Sequence, residues 1–497
     1  MIKLIQDHAR WTKEQLIFKF MDVEKFFDSM NFYKCMLDIH ESGVHGPYWK
    51  AYENINNRML CIPVIPSGPC SDIEVERVFV QGSSDAVLMA WNHMDSLNKK
   101  KTDVWSKRCT IQEIDLDALT YVDDIFEVVK TQYDLILSSA RSEVFQNESR
   151  LNFKTPKCKI MVMNQVEEIE DEIGGMKLQQ VETHEYLGTI ISFDGSRNVE
   201  IERRIAEGKS VLNEIVQVLK MSELSRIRLR YVNTLSNACL DSKVKYGCSV
   251  WSELKKCQKK ELNGLKVRLV KRVLEVPYST PSNAIKYEFG LTDMDLDCQM
   301  EKVLLAFNTL KSDGLVNRLL VNMMEKKVPG FCVEVTEALQ MFDLNLSSIE
   351  KFEDGRGLRE MLKKKIIKIQ NDRLVVEMMV ESKADRLLLH KFHFDGNVKR
   401  YLLELPFEEA RAVFMLRSRM FPSKDNFKGR WGSECVYCGG VESDIHLFSC
   451  AGYSDLLGDV DFDLFMTLDA TTEELEVCAR KLLKVMQRLE TFNSSDN

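Results

Sequence analysis

The stretch LTYVDDIFEVV at 119–129 constrains this chain more than any other: two β-favouring runs, LTYV and IFEVV, stand on either side of an adjacent pair of acids. That length relation predicts a tight hairpin with Asp123 and Asp124 at its tip. Far earlier, the apolar run LIFKFMDVEKFF at 16–27 predicts a buried strand, with Asp22 at its end. Ionised carboxylates repel, so three at one place are stable when solvated or when divalent cations sit between them, and hard oxygen ligands suit Mg²⁺. Two such ions about 3.5–4 Å apart can activate a 3′-hydroxyl and hold a leaving pyrophosphate, which is nucleotidyl transfer. Taken singly, each acid has a plainer use: Asp-Asp is good turn chemistry, and Asp22 could serve as a helix N-cap.

The surrounding pattern predicts α+β organisation. A helix is expected over 28–41, stopped by Ser42-Gly43, and the Pro/Gly-rich loop IPVIPSGPCSD at 62–72 precedes a strand-like VERVFV at 75–80 and a helix-like AVLMAWNHMDSL at 86–97. KIMVMN at 159–164 and HEYLGTIISF at 184–193 are further strand candidates. From about 199 the pattern becomes helical with scattered Lys and Arg, which sets a domain boundary near 198. At about 150 residues per domain, 497 residues predict roughly three domains. Apolar residues at 44% and charged residues at 29% suit buried cores. No apolar run approaches the roughly 18 residues of a membrane span, so neither a membrane partner nor secretion is expected. The 14 Cys are spread without the spacing of a disulfide-stapled scaffold, which predicts an intracellular, reducing compartment.

The strings FMDVEKFFDSMN, VFVQGSSDAVLMAWNHMDSL, YVDDI, LNFKTPKCKIMVMN and YLGTIISFDGS, in that order, resemble the five palm motifs of reverse transcriptases of non-LTR (LINE-type) retrotransposons. The resemblance implies a right-hand polymerase palm in which Asp22, Asp123 and Asp124 bind two catalytic Mg²⁺ or Mn²⁺ ions. It implies that Phe27 stands against the 2′ position of the incoming sugar and favours deoxynucleoside triphosphates, where the residues alone fit a core aromatic better. Gln81 and Gly82 would line the nucleotide pocket, together with Tyr121 and Val122 of the third motif. Lys157, with Lys159 as the alternative, would lie near the triphosphate and protonate pyrophosphate. Tyr186, Leu187 and Gly188 would form the primer grip.

Farther on, Cys435-x2-Cys438-x7-His446-x3-Cys450 supplies three thiols and an imidazole, a set that closes a tetrahedron around structural Zn²⁺. This stretch also resembles the Cys-Cys-His-Cys knuckle of the same proteins, with one residue fewer in the last gap than many relatives have. Net charge is −8 and the pI about 5.7, so nucleic-acid binding needs a local basic face. Lys255, Lys256, Lys259, Lys260, Lys266 and Arg268, followed by Lys271 and Arg272, provide one candidate, and KKKIIK at 363–368 another, although such runs are as often solvated faces.

Residues 1–198 are therefore expected to form the palm, with fingers missing or truncated, 199–325 a helical thumb, 326–430 a helical C-terminal region, 431–455 a zinc knuckle and 456–497 a helical tail. The resemblance implies an RNA-directed DNA polymerase extending a DNA primer on an RNA template, as a fragment or decayed copy lacking the fingers and endonuclease portion. The rival expectation is a non-catalytic nucleic-acid-binding protein on the same scaffold.

Overall fold

The computed structural model describes the chain except residues 57–58, 76–83, 100–108, 117, 150, 155–156, 171, 174–175, 222, 381–392, 428–431 and 496–497. It is a mixed α+β structure that divides into two compact units. The first comprises Met1–Glu200 and Thr309–Glu334, the second Ile201–Asn308 and Val335–Asn497. Residues 199–325, expected together, are thus shared between the two.

A five-stranded sheet organises the first unit. Its strands are β1 (Leu16–Asp22), β2 (Leu119–Tyr121), β3 (Asp124–Val129), β4 (Lys159–Met163) and β5 (Gln179–Gln180), in the spatial order β5-β4-β1-β3-β2. All neighbours are antiparallel except β4 and β5. β1 is central and buried along its length up to Asp22, which is why its sequence runs apolar rather than alternating. Phe18 and Phe20 pack on Phe126 of β3, with ring centroids 5.3 Å apart in each pair. Ile17 and Met21 point to the other face and join the cluster that includes Met89, Leu135 and Phe145.

The strand beginning at 16 ends at Asp22, as expected. Two expectations are corrected in detail. The helix expected over 28–41 is two, Phe26–Ser29 and Phe32–Glu41, the second capped by Asn31 accepting from the Lys34 N–H at 3.1 Å. HEYLGTIISF is a hairpin, β6 (Thr183–Tyr186) and β7 (Thr189–Ser192), turned by Leu187 at φ 48° and Gly188 at φ 71°. A Leu-Gly pair with both residues at positive φ suits a two-residue turn. Most of VERVFV at 75–80 lies outside the described residues. The opening helix Ile2–Thr12 buries Leu4, Ile5 and Ala9, and Asn164 ties its end to the sheet by donating to the Ala9 and Glu14 carbonyls at 2.8 and 2.9 Å.

The second unit is helical. Its core gathers Trp251, Leu262, Phe289, Tyr401, Phe414 and Leu482 from elements spread along the sequence. Arg417 is buried inside it, bonded to Glu288 at 2.8 Å and to the carbonyls of Phe465 and Met466 at 2.7 and 2.6 Å, so the buried guanidinium is satisfied by charge and by backbone. No described helix is long and apolar enough to cross a membrane.

Candidate functional site

The antiparallel register of β1 and β3 sets Lys19 opposite Glu127 and, at the strand end, Asp22 opposite Asp124. The hairpin differs by one residue from its expected form: Tyr121 pairs with Asp124, so the turn is Val122-Asp123 and Asp124 is the first residue of β3. Val122 sits at φ 58°, a conformation that costs a β-branched residue about 1–3 kcal/mol. Asp123 is fixed beside β1 through its carbonyl, which accepts the Val23 N–H at 3.2 Å. Asp22 is therefore brought opposite Asp124, about a hundred residues later in sequence, at one end of the central strand, with Asp123 in the adjoining turn.

The loop after the helix Gln132–Ser149 completes the cluster. Its backbone is sewn to the end of β1, with Lys154 donating to the Asp22 carbonyl at 2.8 Å and Glu24 donating to that of Asn152 at 2.8 Å. This brings in Lys157, whose ammonium donates to Asp22 Oδ2 at 2.8 Å while the side chain remains 55% exposed. Burial, then the charges of Asp123 and Asp124's other neighbour Asp22, push the Asp124 carboxyl up to about 6. The Asp22 carboxylate raises the Lys157 ammonium above its ordinary value. Among the described residues one lysine stands against three acids, so the cluster is short of positive charge and added cations would relieve it.

Residues 2–191 match the family model described as Reverse transcriptase (RNA-dependent DNA polymerase). They form a reverse transcriptase domain. Among solved structures, the chain is similar to telomerase from Candida tropicalis in complex with a TWJ fragment of telomeric RNA, at 11% identity and a TM-score of 0.34, over 73% of this chain and 51% of that chain. It spans about half the length of that telomerase chain. No curated protein matches.

Within the reverse transcriptase domain the remaining expected residues divide. Phe27 is half-buried in the short helix after β1, its ring 5.5 Å from that of Phe26. Tyr121 is 56% exposed beside Asp124, and Val122 is half-buried in the turn. Tyr186 is buried, its ring 5.8 Å from those of Phe20 and Phe126, and burial raises its phenol. Leu187 and Gly188 form the turn beyond it. Lys159 bonds to Gln179, which leaves Lys157 as the lysine at the acid cluster. Gln81 and Gly82 lie outside the described residues.

Sequence reasoning missed a polar layer under the opposite face of the sheet. Lys19, fully buried in β1, bonds to Ser138 and Ser142 at 3.1 and 2.9 Å and lies 3.5 Å from Glu127. The Arg141 guanidinium approaches the same carboxylate at 3.5 Å. The signal was present, since a lysine inside LIFKF and a glutamate inside IFEVV are costly in a buried sheet unless they meet.

In the second unit, the ligand atoms of Cys435, Cys438, His446 and Cys450 all lie within 4.8 Å of one another. Cys435 and Cys438 sulfurs each stand 3.9 Å from that of Cys450, and Cys438 Sγ stands 3.3 Å from His446 Nε2. Zinc–sulfur bonds of about 2.3 Å in a tetrahedron put sulfurs about 3.8 Å apart, so the donor set fits Zn²⁺. The turn depends on Gly439 at φ 73°, with the Cys435 N–H donating to the Gly440 carbonyl at 2.7 Å and the Gly439 N–H to that of Cys435 at 2.9 Å. Burial pushes the Cys435 thiol up to about 11, whereas the Gly440 backbone amide lowers that of the exposed Cys438. Asp444, buried behind the loop, accepts from Ser423, Asn426 and Arg419 and holds it in place.

The basic run lies on and before the helix Lys256–Leu274. Lys255, Lys256 and Lys260 are exposed, Lys259 and Arg268 half-buried. Lys266 corrects the expectation of a single cationic face: it is buried, its ammonium 2.7 Å from Asp241 and 3.3 Å from Asn237. The helix turns Lys266 inward because it shares the apolar stripe of Leu262, Leu265 and Leu269.

Proposed function

We propose that this chain is the RNA-directed DNA polymerase of a non-LTR retrotransposon, extending a DNA 3′-hydroxyl on an RNA template. The placement of Asp22 opposite Asp124 at one strand end, with Asp123 in the adjoining turn, carries this reading, because acids so grouped, with Asp124 raised by its neighbours, suit divalent cations better than they suit a turn. When bound there, two Mg²⁺ or Mn²⁺ ions would supply activation of the 3′-hydroxyl and neutralisation of the pyrophosphate. The chain's own residues do the rest. Asp22 on rigid β1 and Asp124 at the start of β3 hold their carboxylates by main-chain register, so little reorganisation is needed. Lys157 is held by Asp22 at the mouth of the cluster and, remaining protonated, can give its proton to the leaving pyrophosphate oxygen. Phe27, on the helix directly after β1, would exclude a 2′-hydroxyl, Gln81 and Gly82 with Tyr121 and Val122 would receive the nucleotide, and the Tyr186-Leu187-Gly188 turn would steady the primer. Cys435, Cys438, His446 and Cys450 would hold a structural Zn²⁺, since four protein donors leave no position for water.

The test is primer extension on a homopolymer RNA template with Mg²⁺ or Mn²⁺, comparing the chain with its Asp123→Asn form. Incorporation that falls by several orders of magnitude in the variant supports the polymerase. Equal incorporation by both removes it, and template binding without any incorporation supports the non-catalytic binding protein instead.

A further inference from the structure

In the second unit, the loop between the helices Lys256–Leu274 and Ser282–Glu288 presents Tyr278 with 79% of its surface exposed. The residue is nonetheless held. Lys271 donates to its carbonyl at 2.9 Å and places its ammonium 5.3 Å from the ring centroid, and the Thr280 N–H closes the turn on the Pro277 carbonyl at 3.0 Å. One side of the ring thus faces a cation while the remainder is open, an arrangement that loses little freedom when something stacks on it.

Two clefts of about 700 and 730 Å³ meet at this tyrosine. Both are lined by Arg268 and Lys271; the first adds Lys260, the second Lys220 and Arg272. Against these five cations stand two acids, Glu261 and Glu275, paired with Arg268 at 3.4 Å and Lys220 at 3.0 Å. The Arg268 pair is partly exposed and the Lys220 pair more so, so both hold little and phosphate oxygens can take over these cations, while Lys271, buried, stays on the Tyr278 carbonyl. An aromatic ring flanked by positive clefts is the composition that binds an unpaired strand, with a base on the ring and phosphates on either side. A duplex cannot use the ring, because its bases already hide their faces in the stack.

We propose that Tyr278 is a stacking platform for one base of a single-stranded nucleic acid whose flanking phosphates enter the two cationic clefts. This deepens the polymerase reading by giving an unpaired strand a path over the second unit, but it makes no use of the acid cluster. It is therefore tested by equilibrium binding of the full chain in EDTA, where no catalysis can occur.

The probes are fluorescein-labelled dodecamers of riboadenylate and deoxyadenylate and a blunt RNA–DNA duplex, followed by anisotropy. Tyr278→Ala is expected to weaken binding of the single strands by about tenfold, and Tyr278→Phe by less than about twofold. Duplex binding should move by less than about twofold in either variant. Loss for both dodecamers marks a platform indifferent to the sugar, and loss for the RNA alone marks RNA as the strand; each supports the proposal. Lys260→Glu combined with Arg272→Glu should flatten the dependence of single-strand affinity on salt. Unchanged affinity in Tyr278→Ala overturns the platform, as does equal loss in Tyr278→Phe or equal loss for the duplex, and an unchanged salt slope overturns the clefts. Absent incorporation with these binding effects intact would count against the polymerase reading alone.

Discussion

Replacing Asp124 with Asn should stabilise the cation-free protein while abolishing its response to magnesium. The carboxyl sits at about 6 rather than 3.8, because burial and the two neighbouring acids disfavour its charge. A rise of that size corresponds to about 3 kcal/mol, and the group is partly solvated, so about 1–2 kcal/mol is the reasonable expectation. The sign follows from proton uptake. Between about pH 4 and pH 6 the folded state binds more protons at this site than the unfolded state, so stability falls as pH rises through that window and stays lost above it. The uncharged amide carries no such cost. In EDTA at pH 8 the Asp124→Asn protein should therefore melt about 2–6 °C higher than the parent, and near pH 4 the two should coincide. Adding millimolar MgCl₂ should raise the parent melting temperature and leave the variant nearly unmoved. A variant that melts lower than the parent in EDTA at pH 8 would refute the electrostatic reasoning, as would a gain of equal size at pH 4.

Other outcomes follow from the same geometry. Phe27→Ala should raise incorporation of ribonucleotides relative to deoxynucleotides by about tenfold or more, read from paired single-turnover rates; an unchanged ratio would leave Phe27 as a core residue. Cys438→Ser should lower the zinc content of purified protein from near one ion per chain toward zero, and retained stoichiometry by mass spectrometry would exclude the four-ligand site. Lys266→Met should cost about 2–3 kcal/mol by leaving part of the Asp241 charge uncompensated, without altering the salt dependence of nucleic-acid binding. A changed salt slope would return Lys266 to the binding surface.

Short-range features were legible because their physics is local. The apolar run ending in Asp22, the acid pair at a hairpin, the β4 strand and the Cys-Cys-His-Cys spacing each depend on a handful of neighbouring residues. The turn at Val122-Asp123 was displaced by one residue, since nothing local favours a valine at positive φ; the pairing of Tyr121 with Asp124 imposes it. The hairpin hidden in HEYLGTIISF escaped because an apolar Leu gives no turn signal beside its Gly.

What the amino-acid order determined by itself is which groups are available: three acids, a lysine after them, four soft ligands and a helix studded with cations. Which of these share a space was decided by strand register and by the faces the helices turn inward. Pairing across β1 and β3 places Asp22 against Asp124 and buries Lys19 on Glu127, and the inward faces of Lys256–Leu274 take Lys266 and Lys271 out of solvent and leave Lys256 and Lys260 outside. Burial of apolar surface selects one register and one helix rotation for the whole element at once, so the place of any single charged residue follows from its partners far along the chain.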